Sequence, residues 1–114
     1  MNKPILIVGG GPAGLAAAHA LARVGQNSVV VEKEDRLGGA PILSGYAKLV
    51  PSGEWARDAI GGMVDRVRND PLVDVQTAAR VESFAGQPGA FSARLSNGAS
   101  VDAAAAILCT GFTH

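Results

Sequence analysis

Apolar residues along this chain fall into unbroken runs near its two ends and into alternation from Phe91 to Ser96. Ile5-Leu6-Ile7-Val8 is a short, uninterrupted, largely β-branched run, the pattern of a strand covered on both faces. From Pro12 to Val24 the composition shifts to Ala and Leu, with Gly14, Ala18, Leu21 and Gly25 on one face. This predicts a helix ended by Gly25. Ser28 to Glu32 restores a β-branched run, so the first 32 residues read as a strand, a helix and a parallel strand. Residues 33 to 53 are rich in Gly, Pro and Ser without a sustained period, which predicts a long connection. Glu54 to Arg68 places Ala56, Ile60, Met63 and Val67 on one stripe and predicts an amphipathic helix closed by Pro71.

Leu72 to Gln76 predicts a third parallel strand. Beyond it Phe91, Ala93 and Leu95 alternate with Ser92, Arg94 and Ser96, as in a half-exposed antiparallel strand. Asn97-Gly98 predicts a type I′ hairpin leading into Ala99 to Ala103, and Arg80 to Phe84 supplies the third strand of a meander. Ala104 to Cys109 is again continuously apolar and predicts a return to the central sheet beside the first strand. The expected architecture is a three-layer α/β domain with parallel strand order 3-2-1-4, helices against the sheet and the meander on one side.

A chain of 114 residues has room for a single domain. Apolar residues at 47% and charged residues at 18% give a globular composition. Ten basic and ten acidic residues cancel, so no broad positive field draws nucleic acid or an anionic membrane, and anion binding must be local. The first apolar run is four residues long, far short of a membrane span of about 18. Cys109 is the only cysteine, which excludes an internal disulfide or a multi-thiolate metal site and suits a reducing cytoplasm. The chain stops at Thr113 and His114 directly after an apolar run and Gly111, which reads as a truncation.

The chemistry gathers where the first strand meets the first helix. Gly9, Gly11 and Gly14 form GxGxxG, a weak signal by spacing alone in a chain with 15 glycines. Its place between strand and helix gives each glycine a task. Gly9 makes the tight turn, Gly11 lets a pyrophosphate approach the backbone, and Gly14 lets helix and strand pack closely. The helix N-terminus that begins at Pro12 and Ala13 then turns free N–H groups and partial positive charge toward the phosphates, Pro12 itself having no N–H to give. Glu32 closes the second strand 18 residues after Gly14, the spacing at which a carboxylate accepts hydrogen bonds from the adenosine ribose. These features point to a dinucleotide without choosing between NAD and FAD.

The choice comes from a resemblance. Val8 to Glu32, followed by Lys33, Glu34, Asp35, Arg36, Leu37 and the paired Gly38-Gly39, resembles FAD-containing flavoproteins with two dinucleotide folds, in which the paired glycine runs along the FAD pyrophosphate. Ala104 to Phe112 is similar to the second flavin motif of that superfamily, a buried strand ending in Ala-Thr-Gly, with Cys109 in place of the usual alanine. Within the superfamily the chain resembles the A subunits of heterodisulfide reductase and of the quinone-interacting oxidoreductase complex. The matching residues are Asn69-Asp70-Pro71, Val73-Asp74-Val75, Ala79-Arg80-Val81-Glu82, Thr110-Gly111-Phe112, and a GQPGAF segment, Gly86 to Phe91, leading into the meander.

The resemblance implies a Rossmann-like FAD-binding fold, incomplete at this length, from the N-terminal part of a larger oxidoreductase that passes electrons through FAD. It implies that Val81 offers backbone groups to the adenine and that Thr110 and Gly111 lie near the phosphate arm of the flavin. Partners would be other redox subunits or the remainder of the parent chain, and the fragment alone would be inactive, holding FAD weakly or not at all. Methanogen-type A subunits carry cluster cysteines soon after the paired glycine. Residues 40 to 70 contain none, so a cluster there is excluded.

Other residues carry less. Arg36 is either a surface charge or a group reaching the FAD phosphates or adenosine. Trp55 reads as a packing anchor, Cys109 as a buried structural thiol, His19 and His114 as solvent-exposed, and Asp65, Arg66 and Arg68 as a solvated helix face. No residue is a candidate catalyst and no metal site is expected. Two other classes fit the residues: a stand-alone nucleotide-binding or interaction module of a redox complex, and an NAD-dependent dehydrogenase domain.

Overall fold

The computed structural model describes the backbone of residues 3–38 and 53–109, and the side chains of residues 3–38 and 61–109. Four parallel strands form the central sheet: β1 (Ile5–Val8), β2 (Ser28–Val31), β3 (Val73–Gln76) and β7 (Ala105–Leu108). Their order is β3-β2-β1-β7, the 3-2-1-4 arrangement that the apolar runs imply. Ile5 stands opposite Ser28 on one side and Ala105 on the other, and Ser28 opposite Val73, so the strands run in step from their first residues. All four residues of β2 are buried, because this strand has neighbours on both edges and layers on both faces.

Alternation of side chains about the sheet creates two cores. Ile7, Val30 and Val73 point to the helical side, where they meet Leu15 and Ala18 of α1 (Pro12–Arg23) and Val67 of α2 (Gly53–Asn69). Leu6, Val29 and Val31 point the other way and meet Ala93, Leu95 and Ala103 of the antiparallel layer. Of the predicted stripe on α2, Met63 and Val67 reach the helical core, while the side chains of Ala56 and Ile60, like that of the expected packing anchor Trp55, lie outside the described residues. Helix α1 closes as a Schellman motif: Gln26 N–H donates to Leu21 C=O at 2.9 Å and Gly25 N–H to Ala22 C=O at 3.0 Å.

The antiparallel layer comprises β4 (Val81–Gln87), β5 (Ala90–Leu95) and β6 (Ser100–Ala103), in that order. Two details differ from the sequence-based expectation. The Asn97-Gly98 connection is not type I′, since Gly98 has φ +90° but Asn97 is not among the residues with positive φ. Gly98 N–H donates to Leu95 C=O and Leu95 N–H to Ala99 C=O, which makes a three-residue loop with glycine in the left-handed position. The Asn97 side chain accepts from Ala99 N–H at 2.9 Å, a local bond that competes with a left-handed asparagine. Second, β4 runs on to Gln87, and the GQPGAF segment forms the hairpin between β4 and β5 rather than leading into the meander.

Leu6 is fully buried where the parallel sheet meets the meander. Leu6→Ala is expected to cost about 2–5 kcal/mol of unfolding free energy, measured by urea denaturation, if these layers share one core.

Candidate dinucleotide site

The pocket is built at the C-terminal end of β1, where the strand must turn sharply into α1. Gly9 has φ +113°, a conformation closed to residues with a Cβ, and its N–H stays in the sheet by donating to Val31 C=O at 2.8 Å. Gly14 answers a different demand. A methyl group there would be driven into the carbonyl oxygen of Gly9, so only glycine lets α1 lie this close to the turn. Gly11 has ordinary extended backbone, φ −79° and ψ −168°, and an added methyl group would find no atom of the described residues within 4 Å. Among the described residues, then, nothing crowds Gly11, and the space in front of it is open for a ligand to approach the backbone.

Pro12 opens α1 at a position whose N–H would have no helical partner in any case, and both Pro12 and Ala13 are exposed. Leu15 N–H is the first in the helix to bond backward, to Gly11 C=O at 2.9 Å. Among the described residues no acceptor takes up the N–H groups of Gly11, Ala13 or Gly14. Of the main-chain amides from 9 to 14, those of Gly9 and Gly10 are used by the protein, and these three remain for an anion at the positive end of α1.

Glu32 stands beside them, only 6% exposed. One carboxylate oxygen, Oε1, accepts from Gly10 N–H at 2.6 Å, and Oε2 accepts from Glu34 N–H at 2.8 Å. Two charge-assisted bonds offset the desolvation of the anion and fix its direction. Each oxygen keeps a further lone pair, so the carboxylate retains the capacity to accept from a pair of ribose hydroxyls.

The GxGxxG pattern does not single out Gly10, yet this residue joins the parts of the site. Its N–H holds Glu32, its C=O accepts from Gly38 N–H at 2.7 Å, and buried Leu37 covers it. A methyl group on Gly10 would meet Leu37 Cδ2 at 2.6 Å and Glu32 Cβ at 3.1 Å. The only sequence signal for it is that the first variable position of GxGxxG is itself glycine.

The remaining sequence candidates divide by location. Gly38 is buried against the turn, while Lys33 and Arg36 are exposed on the loop between Glu32 and Gly38. Arg36 makes a loose 3.7 Å ion pair with Asp35, both largely in solvent. Val81 begins β4, two residues after Ala79, whose N–H donates to Glu32 C=O at 3.0 Å. Gly39, Thr110, Gly111 and His114 lie outside the described residues.

Cys109 is half-buried, its N–H donates to Val8 C=O at 2.8 Å, and burial pushes its thiol pKa up, so at neutral pH it is a protonated thiol and a poor nucleophile. His19 is half-buried rather than exposed, in a shallow groove with Asp65 and Arg66 about two turns along α1 from the pocket. Among the described residues no cluster of His, Cys, Asp or Glu could hold a metal ion, and no helix is long and apolar enough to cross a membrane.

Gly11→Ala and Gly14→Ala separate ligand space from packing. G14A is expected to lose about 1–3 kcal/mol of stability through overpacking. G11A is expected to keep the stability of the free chain within about 1 kcal/mol while lowering dinucleotide affinity. Paired thermal melts and binding titrations check both.

Comparison with known proteins agrees with this geometry. The model of the FAD dependent oxidoreductase family matches residues 4–104. Urocanate reductase of Eggerthella lenta is 42% identical over 71 residues, which is 60% of this chain and 12% of that protein. The iron-sulfur A subunit of CoB–CoM heterodisulfide reductase from Methanocaldococcus jannaschii is 35% identical over 91 residues, 80% of this chain and 14% of that protein. The solved NAD-dependent persulfide reductase of A. fulgidus superposes with TM-score 0.70 at 26% identity, covering 96% of this chain and 18% of that one. The chain thus spans less than a fifth of the length of each. With its Rossmann-type layers, the glycine turn and the Glu32 carboxylate in register, the chain belongs to the FAD dependent oxidoreductase family, and FAD is its cofactor.

Proposed function

We propose that this chain is the N-terminal FAD-binding part of a larger oxidoreductase resembling the A subunit of heterodisulfide reductase, which transfers electrons through its flavin. The observation that carries this reading is the set of amides at Gly11, Ala13 and Gly14 that no acceptor among the described residues takes up, beside a carboxylate already aimed by Gly10 and Glu34.

In this reading the three amides and the dipole of α1 bind the diphosphate, and Glu32 holds the ribose of the adenosine half. Gly38 extends the pyrophosphate contact, Lys33 and Arg36 supply positive charge at the rim, and the backbone of Val81 faces the adenine. For Gly39, Thr110 and Gly111, which are outside the described residues, the resemblance alone implies roles at the pyrophosphate and toward the flavin. When bound, FAD would supply the redox chemistry, and the residues of this chain would hold and orient it. The residues of the chain bind and orient, and none transfers a proton or forms a covalent bond with a substrate. Other redox subunits or further parts of the parent chain complete the site, in a cytoplasmic setting that suits a single reduced thiol. The chain alone is inactive and holds FAD modestly, since missing contacts remove affinity while the entropy cost of binding remains.

Titration of the purified chain, followed by flavin fluorescence, tests this. FAD is expected to bind, FMN, which lacks the adenosine half, to bind far more weakly, and NADH not to compete. Glu32→Ala is expected to weaken FAD binding about a hundredfold or more, the size of two lost hydrogen bonds to a charged group at about 1.5–3 kcal/mol each. Equal affinity for FMN and FAD, or preference for NADH, contradicts the reading.

A further inference from the structure

Ala78 is the one non-glycine residue with left-handed backbone among the described residues, at φ +50°. Left-handed backbone is unfavourable for alanine, and it persists only where surrounding contacts enforce it. Here the contacts are two hydrogen bonds to one segment: Ala78 N–H donates to Glu34 C=O at 2.7 Å and Ala79 N–H to Glu32 C=O at 3.0 Å. In extended backbone, consecutive N–H groups point to opposite edges. The left-handed turn brings both to the same partner. Glu32 N–H meanwhile donates to Gln76 C=O at 2.8 Å, so residues 76 to 79 are fastened to the segment that carries the carboxylate of the pocket.

The far side of this crossing is equally fixed. Ala79 is 1% exposed in the core with Val31 and Leu95. Arg80 is held to Ser96 through both of its backbone groups, its N–H going to Ser96 Oγ at 2.9 Å and its C=O accepting Ser96 N–H at 2.8 Å. β4 then starts at Val81.

We propose that Ala78 is a positioning residue for the adenosine half of the dinucleotide: its left-handed turn sets the distance between the Glu32 carboxylate and the main chain at Val81. The proposal rests on the FAD reading above. It assigns a role in binding to a residue that carries no functional group, through the backbone shape alone.

Two substitutions test it. Valine is β-branched and strongly disfavours left-handed backbone, so Ala78→Val relaxes the turn in the free chain and binding must first restore it. A78V is expected to raise the Kd for FAD and for ADP by the same factor, about tenfold. Asparagine accepts left-handed backbone, so Ala78→Asn is expected to bind FAD and ADP at least as tightly as the unchanged chain and to melt at a higher temperature. Unchanged affinity in A78V, a loss confined to FAD while ADP is unaffected, or weaker binding in A78N overturns the proposal. The A78N outcome stands whether or not A78V folds. If the unchanged chain does not prefer FAD to FMN, the proposal falls together with the cofactor reading. If it does and the variants bind alike, the proposal alone falls.

Discussion

A buried carboxylate gripping a glycine turn organises this domain. Glu32 follows one parallel strand and Gly10 follows its neighbour, and the 2.6 Å bond between them joins the ends of β1 and β2 at the mouth of the candidate pocket. An anion that is 6% exposed requires compensation, and the chain supplies it from its own backbone at Gly10 and Glu34. The site is consequently pre-shaped, with the acceptor aimed before any ligand arrives. Preorganisation of this kind lowers the ordering cost of binding.

The rest of the fold keeps that junction in place. The two cores, one under the helices and one under the meander, clamp β1 and β2 from opposite faces, and the loop after Glu32 is returned to the turn by Leu37 and by the Gly38 N–H on Gly10 C=O. Three glycines serve three separate purposes at the turn. Gly9 accepts a backbone shape, Gly14 permits close packing of a helix, and Gly11 leaves room that no other described residue fills. Only the third is a statement about a ligand, and it makes the site legible as a site rather than a well-packed corner.

The parallel strands are readable from sequence because burial on both faces removes polar residues, leaving runs such as Ile5–Val8 and Val29–Val31. The glycine turn and Glu32 are readable because their spacing follows from strand–turn–helix geometry. What is not readable depends on contacts between distant residues or on exposure. β4 has no buried residue, so its continuation from Phe84 to Gln87 leaves no periodic trace. The Asn97-Gly98 dipeptide suits two loop types, and the bond from Ala99 N–H to the Asn97 side chain decides against the type I′ geometry that the dipeptide alone suggests. Gly10 and Ala78 act through backbone hydrogen bonds that no side chain announces.

The most direct test of the central claim reads the pocket amides themselves. In an amide proton–nitrogen correlation spectrum of the labelled chain titrated with FAD, the account predicts that the largest shifts fall on Gly11, Ala13 and Gly14, with smaller ones at Gly10 and Glu34 around the Glu32 carboxylate. Shifts that leave the turn untouched and gather elsewhere on the molecule would contradict it.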